Sequence, residues 1–213
     1  MEPEKLAIFD FDGTLIKGDS IVSYLKLARH LKALPLPRFL GILLRAPLYA
    51  LGLLSDSAYK SYSLAFYAAL SPERKVALDR VFADEFLLPN IYRQGKSALE
   101  AKKQEGYRVL LVSASTENYM QYVAQALEAD GLICTRLDEN AKVILNCKGE
   151  NKVTLLQQYL KKNELEADWD SSCAFGDSKS DLHVMQMVGN PIIVNGKRKL
   201  KKAAPQYPQV HWA

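Results

Sequence analysis

Cysteine is scarce in this chain. The 213 residues include three, Cys134, Cys147 and Cys173. They are too few and too scattered for a disulfide framework or a zinc knuckle, and buried thiols in a reducing compartment are the expectation. A long unbroken apolar run is also missing. The longest, Phe39 to Leu54, spans 16 residues and is interrupted by Arg45 and Pro47, too short and too broken to cross a bilayer as a helix. A strong charge of either sign is absent: 28 Lys and Arg against 24 Asp and Glu leave +4, too weak a balance to indicate nucleic acid. The chain shows no internal repeat, low-complexity tract or flexible linker. Its start, MEPEKLAIF, is acidic and then apolar, without the basic and apolar regions of a leader, so a cytosolic protein is expected.

What is present suits a globular fold. Apolar residues make up 48% and charged residues 24%, which excludes a disordered or collagen-like chain. This length allows one domain, or one domain with an insertion, and buries a core without covalent staples. Four short apolar runs read as strands: Lys5–Phe9, Arg108–Val112, Ser172–Phe175 and Ile192–Val194. They are continuous rather than alternating, as in parallel strands covered on both faces. Between them lie helical patterns, at Glu117–Glu128 and Lys152–Lys162. The alternation predicts an α/β, Rossmann-like, doubly wound parallel sheet. In such sheets, functional groups gather at the carboxyl ends of the strands.

One stretch breaks the alternation. Residues 17–94 read as helix only, giving a helical cap inserted after the first strand, with residues 1–16 and 95–213 as the core. Asp19 or Ser20 caps a helix that stops before Pro35 and Pro37. Ser57–Leu70 reads as a second helix, and Ser71 and Pro72 open a third. Residues 17–54 carry six Lys or Arg against Asp19 alone. The simpler arrangement puts the apolar run Phe39–Leu54 in the core of the cap and the basic residues on its solvated face. The alternative is contact with an anionic membrane surface or a substrate with an apolar body. The basic run Lys197–Lys202 reads most simply as a solvated helix face, with a phosphate or membrane contact as the alternative.

Chemistry collects at the strand ends. Asp10 and Asp12 flank Phe11 directly after the first strand, followed by Gly13 and Thr14. Two carboxylates so close require a hard cation such as Mg²⁺, or one must hold a proton. Ser113 ends the second strand, where its hydroxyl and the following amides, that of Ala114 first, can hold phosphoryl oxygens. Lys152 sits at the start of a helix, mildly unfavourable against the helix dipole unless it serves an anion. Asp177 and Asp181 follow the third strand, four residues apart. If a helix starts near Lys179, both reach one point over the sheet edge.

Asp10-Phe11-Asp12-Gly13-Thr14-Leu15, then Ser113, Lys152 and Gly176-Asp177-Ser178-Lys179-Ser180-Asp181, resemble the motifs of the haloacid dehalogenase superfamily in its phosphatase branch. The helical insert is similar to the cap of the phosphoserine-phosphatase-like subgroup. The resemblance implies a phosphatase that hydrolyses a phosphate monoester through an aspartyl-phosphate. Asp10 would attack phosphorus. Asp12 would protonate the leaving oxygen and then activate water, its main-chain carbonyl also binding Mg²⁺. Ser113 and Lys152 would hold and neutralise the phosphoryl group, with Thr14 and Ala114 contributing to substrate binding. Asp177 and Asp181 would bind or orient the metal.

The presence of Asp12 argues against dehalogenation, in which a halide leaves without an acid. A phospho-accepting receiver domain shares some of these groups but has no helical insert. The partner is then a small phosphate ester. Asp19 matches the acidic residue that contacts the substrate amine in the phosphoserine enzymes, and it serves equally as a helix cap. Those enzymes also use a cap arginine for the substrate carboxylate, whereas between Arg45 and Arg74 this chain has only Lys60. Phosphoserine and lipid-like phosphates stay open as substrates.

Overall fold

A computed structural model describes residues 2–213. The chain begins with strand β1 (Glu4–Phe9) and then runs through helices alone: α1 (Ser20–His30), α2 (Leu36–Ala50), α3 (Asp56–Leu64), α4 (Pro72–Val81) and a π-helical turn at Phe82–Leu87. Helix α5 (Arg93–Gln104) leads back to β2 (Arg108–Thr116), followed by α6 (Glu117–Ala126), β3 (Gly131–Leu137) and β4 (Val143–Leu145). Then come α7 (Glu150–Lys162), β5 (Ala167–Gly176), α8 (Leu182–Met185), β6 (Asn190–Val194), α9 (Arg198–Ala203) and β7 (Gln209–Val210). The seven strands form one sheet in the order β4-β3-β2-β1-β5-β6-β7. All pairs are parallel except β3 with β4.

Strand β1 lies at the centre and explains its own composition. Leu6 and Ile8 join the apolar cluster on one face of the sheet, Ala7 and Phe9 the cluster on the other. A strand covered on both faces needs apolar residues at every position. Phe9 pairs in register with Leu111 of β2 and with Phe175 of β5, and the Phe9 and Phe175 rings stack at 4.4 Å. This register brings Asp10, Ser113 and Asp177, each one or two residues past these partners, to one edge of the sheet.

The helical segment is tied down over that edge. Tyr24 of α1 is fully buried and packs against Phe66, Phe82 and Tyr119. Its hydroxyl donates to the buried carboxylate of Asp79 on α4, which also accepts from Tyr67 and from Asn118 of α6. Helix α1 starts as expected, with Asp19 accepting from the amide of Val22. The helix expected over Ser57–Leu70 is instead α3 plus a short 3₁₀ turn at Tyr67–Ala69.

The expected core position of the Phe39–Leu54 run is overturned. Ile42 is the buried residue of α2, while Leu40, Leu43, Leu44 and Leu48 are exposed. The arginines turn inward instead, and the guanidinium carbons of Arg38 and Arg45 lie 5.1 and 4.0 Å from the Tyr62 ring centre. Periodicity marks an apolar stripe on a helix but not which side of the helix has a partner.

Candidate active site

A cavity of about 240 Å³ opens at the carboxyl ends of β1, β2 and β5, between the sheet and helices α1 to α3. Asp10, Asp12, Ser113, Lys152, Asp177 and Asp181 line its floor. The structure thus brings six of the sequence-derived candidates together. Ala114 and Asp19 also line the cavity.

Lys152, in the first turn of α7, organises the floor. Its ammonium donates to Asp10 Oδ1 and Asp181 Oδ1, both at 2.6 Å, and to the carbonyl of Val112 at 2.8 Å. All three of its protons are committed, so its position is fixed. Burial works against its charge, but Asp10 and Asp181 more than offset this and hold it protonated. Asp181 is committed as well, since its Oδ2 accepts from the amide and hydroxyl of Ser178. A 3₁₀ turn at Lys179–Asp181 sets this geometry.

Asp10 accepts from Lys152 on one oxygen and from the Thr14 hydroxyl on the other, at 3.1 Å. Thr14 is fully buried, its amide donates to Phe11, and it does not line the cavity. The contact that the structure gives the Thr14 hydroxyl is with Asp10. Burial, then the neighbouring Asp181, pushes the Asp10 carboxyl up from its ordinary value. Burial raises Asp177 too, against its ion pair with Lys197 at 2.6 Å. Lys197 belongs to the run read as a solvated face, and the structure corrects this: its ammonium reaches the site although most of its side chain is exposed.

Asp12 points elsewhere. Its Oδ1 accepts from the Ser20 amide at 2.9 Å, and its Oδ2 from the hydroxyls of Ser20 at 2.9 Å and Ser115 at 2.7 Å. Burial, then the nearby Asp19, pushes its pKa up to about 6, against the hydrogen bonds from Ser115 and Ser20. A carboxyl tuned close to neutrality suits proton transfer in both directions. The Tyr119 hydroxyl lies 2.9 Å from that of Ser20 and extends the network.

Carboxylate oxygens of Asp10, Asp177 and Asp181 come within 4.8 Å of one another. Three carboxylates face two ammonium groups here, and a phosphate would add further negative charge. The donor set therefore fits a hard divalent cation with oxygen ligands. The carboxylate of Asp12 is outside this group. Gly13 permits the arrangement. Its φ is +82°, and a Cβ there would lie 2.2 Å from Asp177 Oδ2, so any side chain would push that carboxylate away.

Residues missed by sequence reasoning line the upper wall. Lys60 of α3 is buried and donates to Ala114 O at 2.8 Å and Asn146 Oδ1 at 2.9 Å, with Asp56 at 3.1 Å. Lys148 pairs with the same Asp56, and Tyr49 and Tyr59 stack at 4.7 Å. A lone lysine in the otherwise apolar and aromatic stretch Ser61–Leu70 and its approach was the one available signal.

The model of the haloacid dehalogenase-like hydrolases matches residues 7–186 of the chain. A histidinol-phosphatase of Neisseria meningitidis serogroup C (strain 8013) is 26% identical, over 95% of this chain and 96% of its own. Among solved structures, a protein with unknown function from Bordetella pertussis Tohama I superposes with a TM-score of 0.86 at 22% identity, covering 98% of both chains. A substrate-bound phosphoserine phosphatase superposes with a TM-score of 0.65 at 18% identity, covering 99% of this chain and 94% of its own. The chain belongs to the haloacid dehalogenase-like hydrolase family and shares the fold of phosphoserine phosphatases.

Proposed function

We propose that this enzyme is a Mg²⁺-dependent phosphatase that hydrolyses a small phosphate monoester through an aspartyl-phosphate on Asp10. The observation that carries this reading is the division of labour between two carboxylates. Asp10 is gripped by Lys152 and Thr14 on the cavity floor, while Asp12 is held by Ser20 and Ser115 with its pKa raised. Asp10 would displace the alcohol from phosphorus, and protonated Asp12 would give its proton to the leaving oxygen. Asp12 would then take a proton from the water that attacks phosphorus and releases Asp10. Lys152 would neutralise the phosphoryl oxygens through its charge, and Ser113 would orient them. A bound Mg²⁺ would supply the remaining positive charge, held by Asp10, Asp177 and the Asp12 carbonyl, with Asp181 orienting Lys152 and the loop.

The wall of the cavity favours a leaving group without a carboxylate. Lys60 is the cation nearest in kind to the cap arginine of phosphoserine enzymes, but three acceptors already occupy its three protons. Asp19, exposed at the rim with one oxygen on the Val22 amide, retains an oxygen for an amine. The Neisseria relative is named a histidinol-phosphatase, and histidinol phosphate carries an amine and no carboxylate. The buried free thiols Cys134, Cys147 and Cys173 suit a protein working in the cytosol. Purified protein should hydrolyse a generic aryl phosphate with steady turnover only when Mg²⁺ is present, and should prefer histidinol phosphate to phosphoserine. Absence of turnover on any phosphate ester with Mg²⁺ would overturn the reading.

A further inference from the structure

Helix α2 is built inside out. Its exposed residues, Leu36, Pro37, Leu40, Leu43, Leu44, Pro47, Leu48 and Ala50, are all apolar, while Arg38 and Arg45 lie against the body of the protein. A surface helix ordinarily points its leucines at the core and its arginines at water. Here Leu44 is 76% exposed, and the face continues past the helix into Leu51 and Leu53, 75% and 69% exposed. Among the described residues, nine of the fourteen exposed large apolar side chains fall between Val22 and Leu53. Single exposed leucines need no explanation, but a contiguous apolar face marks a binding surface.

The charge around this face selects its occupant. From Ser20 to Ser55 the sequence contains no acidic residue, and besides the inward-turned Arg38 and Arg45 it contains Lys26, Arg29 and Lys32. Lys26 and Lys32 are exposed, and Lys32 sits in the turn that leads into α2. A second copy of the chain packed symmetrically on this face would bring the same basic set against itself, and like charges brought together oppose association. The exposed face also carries no aromatic residue, whereas protein interfaces anchor on Trp, Tyr and Arg and rarely on Leu. Acyl chains require neither shape nor direction from the leucines, and anionic headgroups match the basic flank. The helix has 15 residues, about 22 Å at the usual rise, and among the described residues no helix is long and apolar enough to cross a membrane. It can lie in the interface but not span it.

We infer that α2 and the following Leu51–Leu53 turn form a docking face for an anionic lipid bilayer. This holds whatever phosphate ester the site cleaves. The face adjoins the catalytic cavity, since Tyr49 near the end of α2 lines that cavity. The full-length protein should pellet with vesicles of phosphatidylglycerol and phosphatidylcholine at low salt, less so at high salt, and poorly with phosphatidylcholine alone. The double variant Leu40→Glu, Leu44→Glu removes nothing from the core, so it should melt like the parent while vesicle binding falls at least tenfold. If the parent stays in the supernatant with anionic vesicles at low salt, the inference is wrong. It is equally wrong if the parent is a dimer that the double variant dissociates while neither protein pellets, because the face then belongs to a second copy.

Discussion

The ammonium of Lys60 stands 2.8 Å from the main-chain carbonyl of Ala114. One residue belongs to a cap helix, the other to the strand end that carries Ser113, so this contact pins the cap to the catalytic floor. The same ammonium meets Asn146 and Asp56, and no proton is left over.

Lys60→Met should therefore destabilise the protein although it keeps the aliphatic length. It strips a partner from buried acceptors, which costs ~1–3 kcal/mol. For a chain of this size the melting temperature should fall by roughly 2–4 °C per kcal/mol. Thermal unfolding followed by circular dichroism measures this. An unchanged melting temperature would mean that Lys60 does not hold the cap.

Asp10→Asn should abolish turnover and leave the protein folded. The variant keeps the shape but removes the oxygen nucleophile. It also removes a carboxyl whose pKa burial, and then repulsion from Asp181, hold above its ordinary value, so thermal stability should not fall much. Lys152 retains Asp181 and the Val112 carbonyl. A folded Asp10→Asn protein with near-parental activity on an aryl phosphate would remove Asp10 from its role.

Asp12→Asn is expected to behave differently. General acid–base groups contribute ~10²–10⁴-fold, and an aryl leaving group needs little protonation. With such an ester the first step should continue while hydrolysis of the adduct slows. Mass spectrometry of the quenched variant should then show phosphorylated protein, absent in Asp10→Asn. Equal slowing on all esters with no adduct would argue against a proton-transfer role for Asp12.

Much of this site was legible in the sequence because parallel strands leave a simple trace. The runs ending at Phe9, Val112 and Phe175 are apolar, so the polar residues that follow stand out, and the register of the strands brings them together. Strand β3, GLICTRL, was not legible, because Thr135 and Arg136 interrupt its apolar run near the edge of the sheet. The hydroxyl contact of Ser20 with Tyr119 joins residues 99 positions apart, and nothing local announces it. Lys197 was hidden in a basic run whose other members have no part in the site. Helix α2 misled for a different reason: burial depends on what lies opposite, and sequence periodicity does not report that.

The charge imbalance on the cavity floor makes the proposed metal dependence testable. A chelator should abolish activity and added Mg²⁺ should restore it. Ca²⁺ should restore little, because it favours longer bonds and more ligands. Asp177→Asn should raise the Mg²⁺ concentration needed for half-maximal activity. Full activity in excess chelator would contradict the assignment of Asp10 and Asp177 as ligands.

Asp56 makes the stability of the cap depend on pH. Its carboxylate accepts from Tyr49 and Lys148 at 2.5 Å and from Asn146 at 2.9 Å, and it pairs with Lys60. Burial acts to raise its pKa, but Lys60, Lys148, Tyr49 and Asn146 outweigh burial and hold it well below the ordinary 3.8. The folded protein therefore binds fewer protons at this group than the unfolded chain does. The stabilisation is complete above the unfolded value and is lost as pH falls through the depressed folded value. Asp56→Asn keeps the shape and one carbonyl acceptor but not the charge, so it should melt below the parent at neutral pH. That gap should narrow as the medium is acidified to about pH 3, where the parent's other carboxylates titrate equally in both proteins and cancel in the comparison. A gap that stays constant over the whole range would show that the charge of Asp56 contributes nothing to holding the cap.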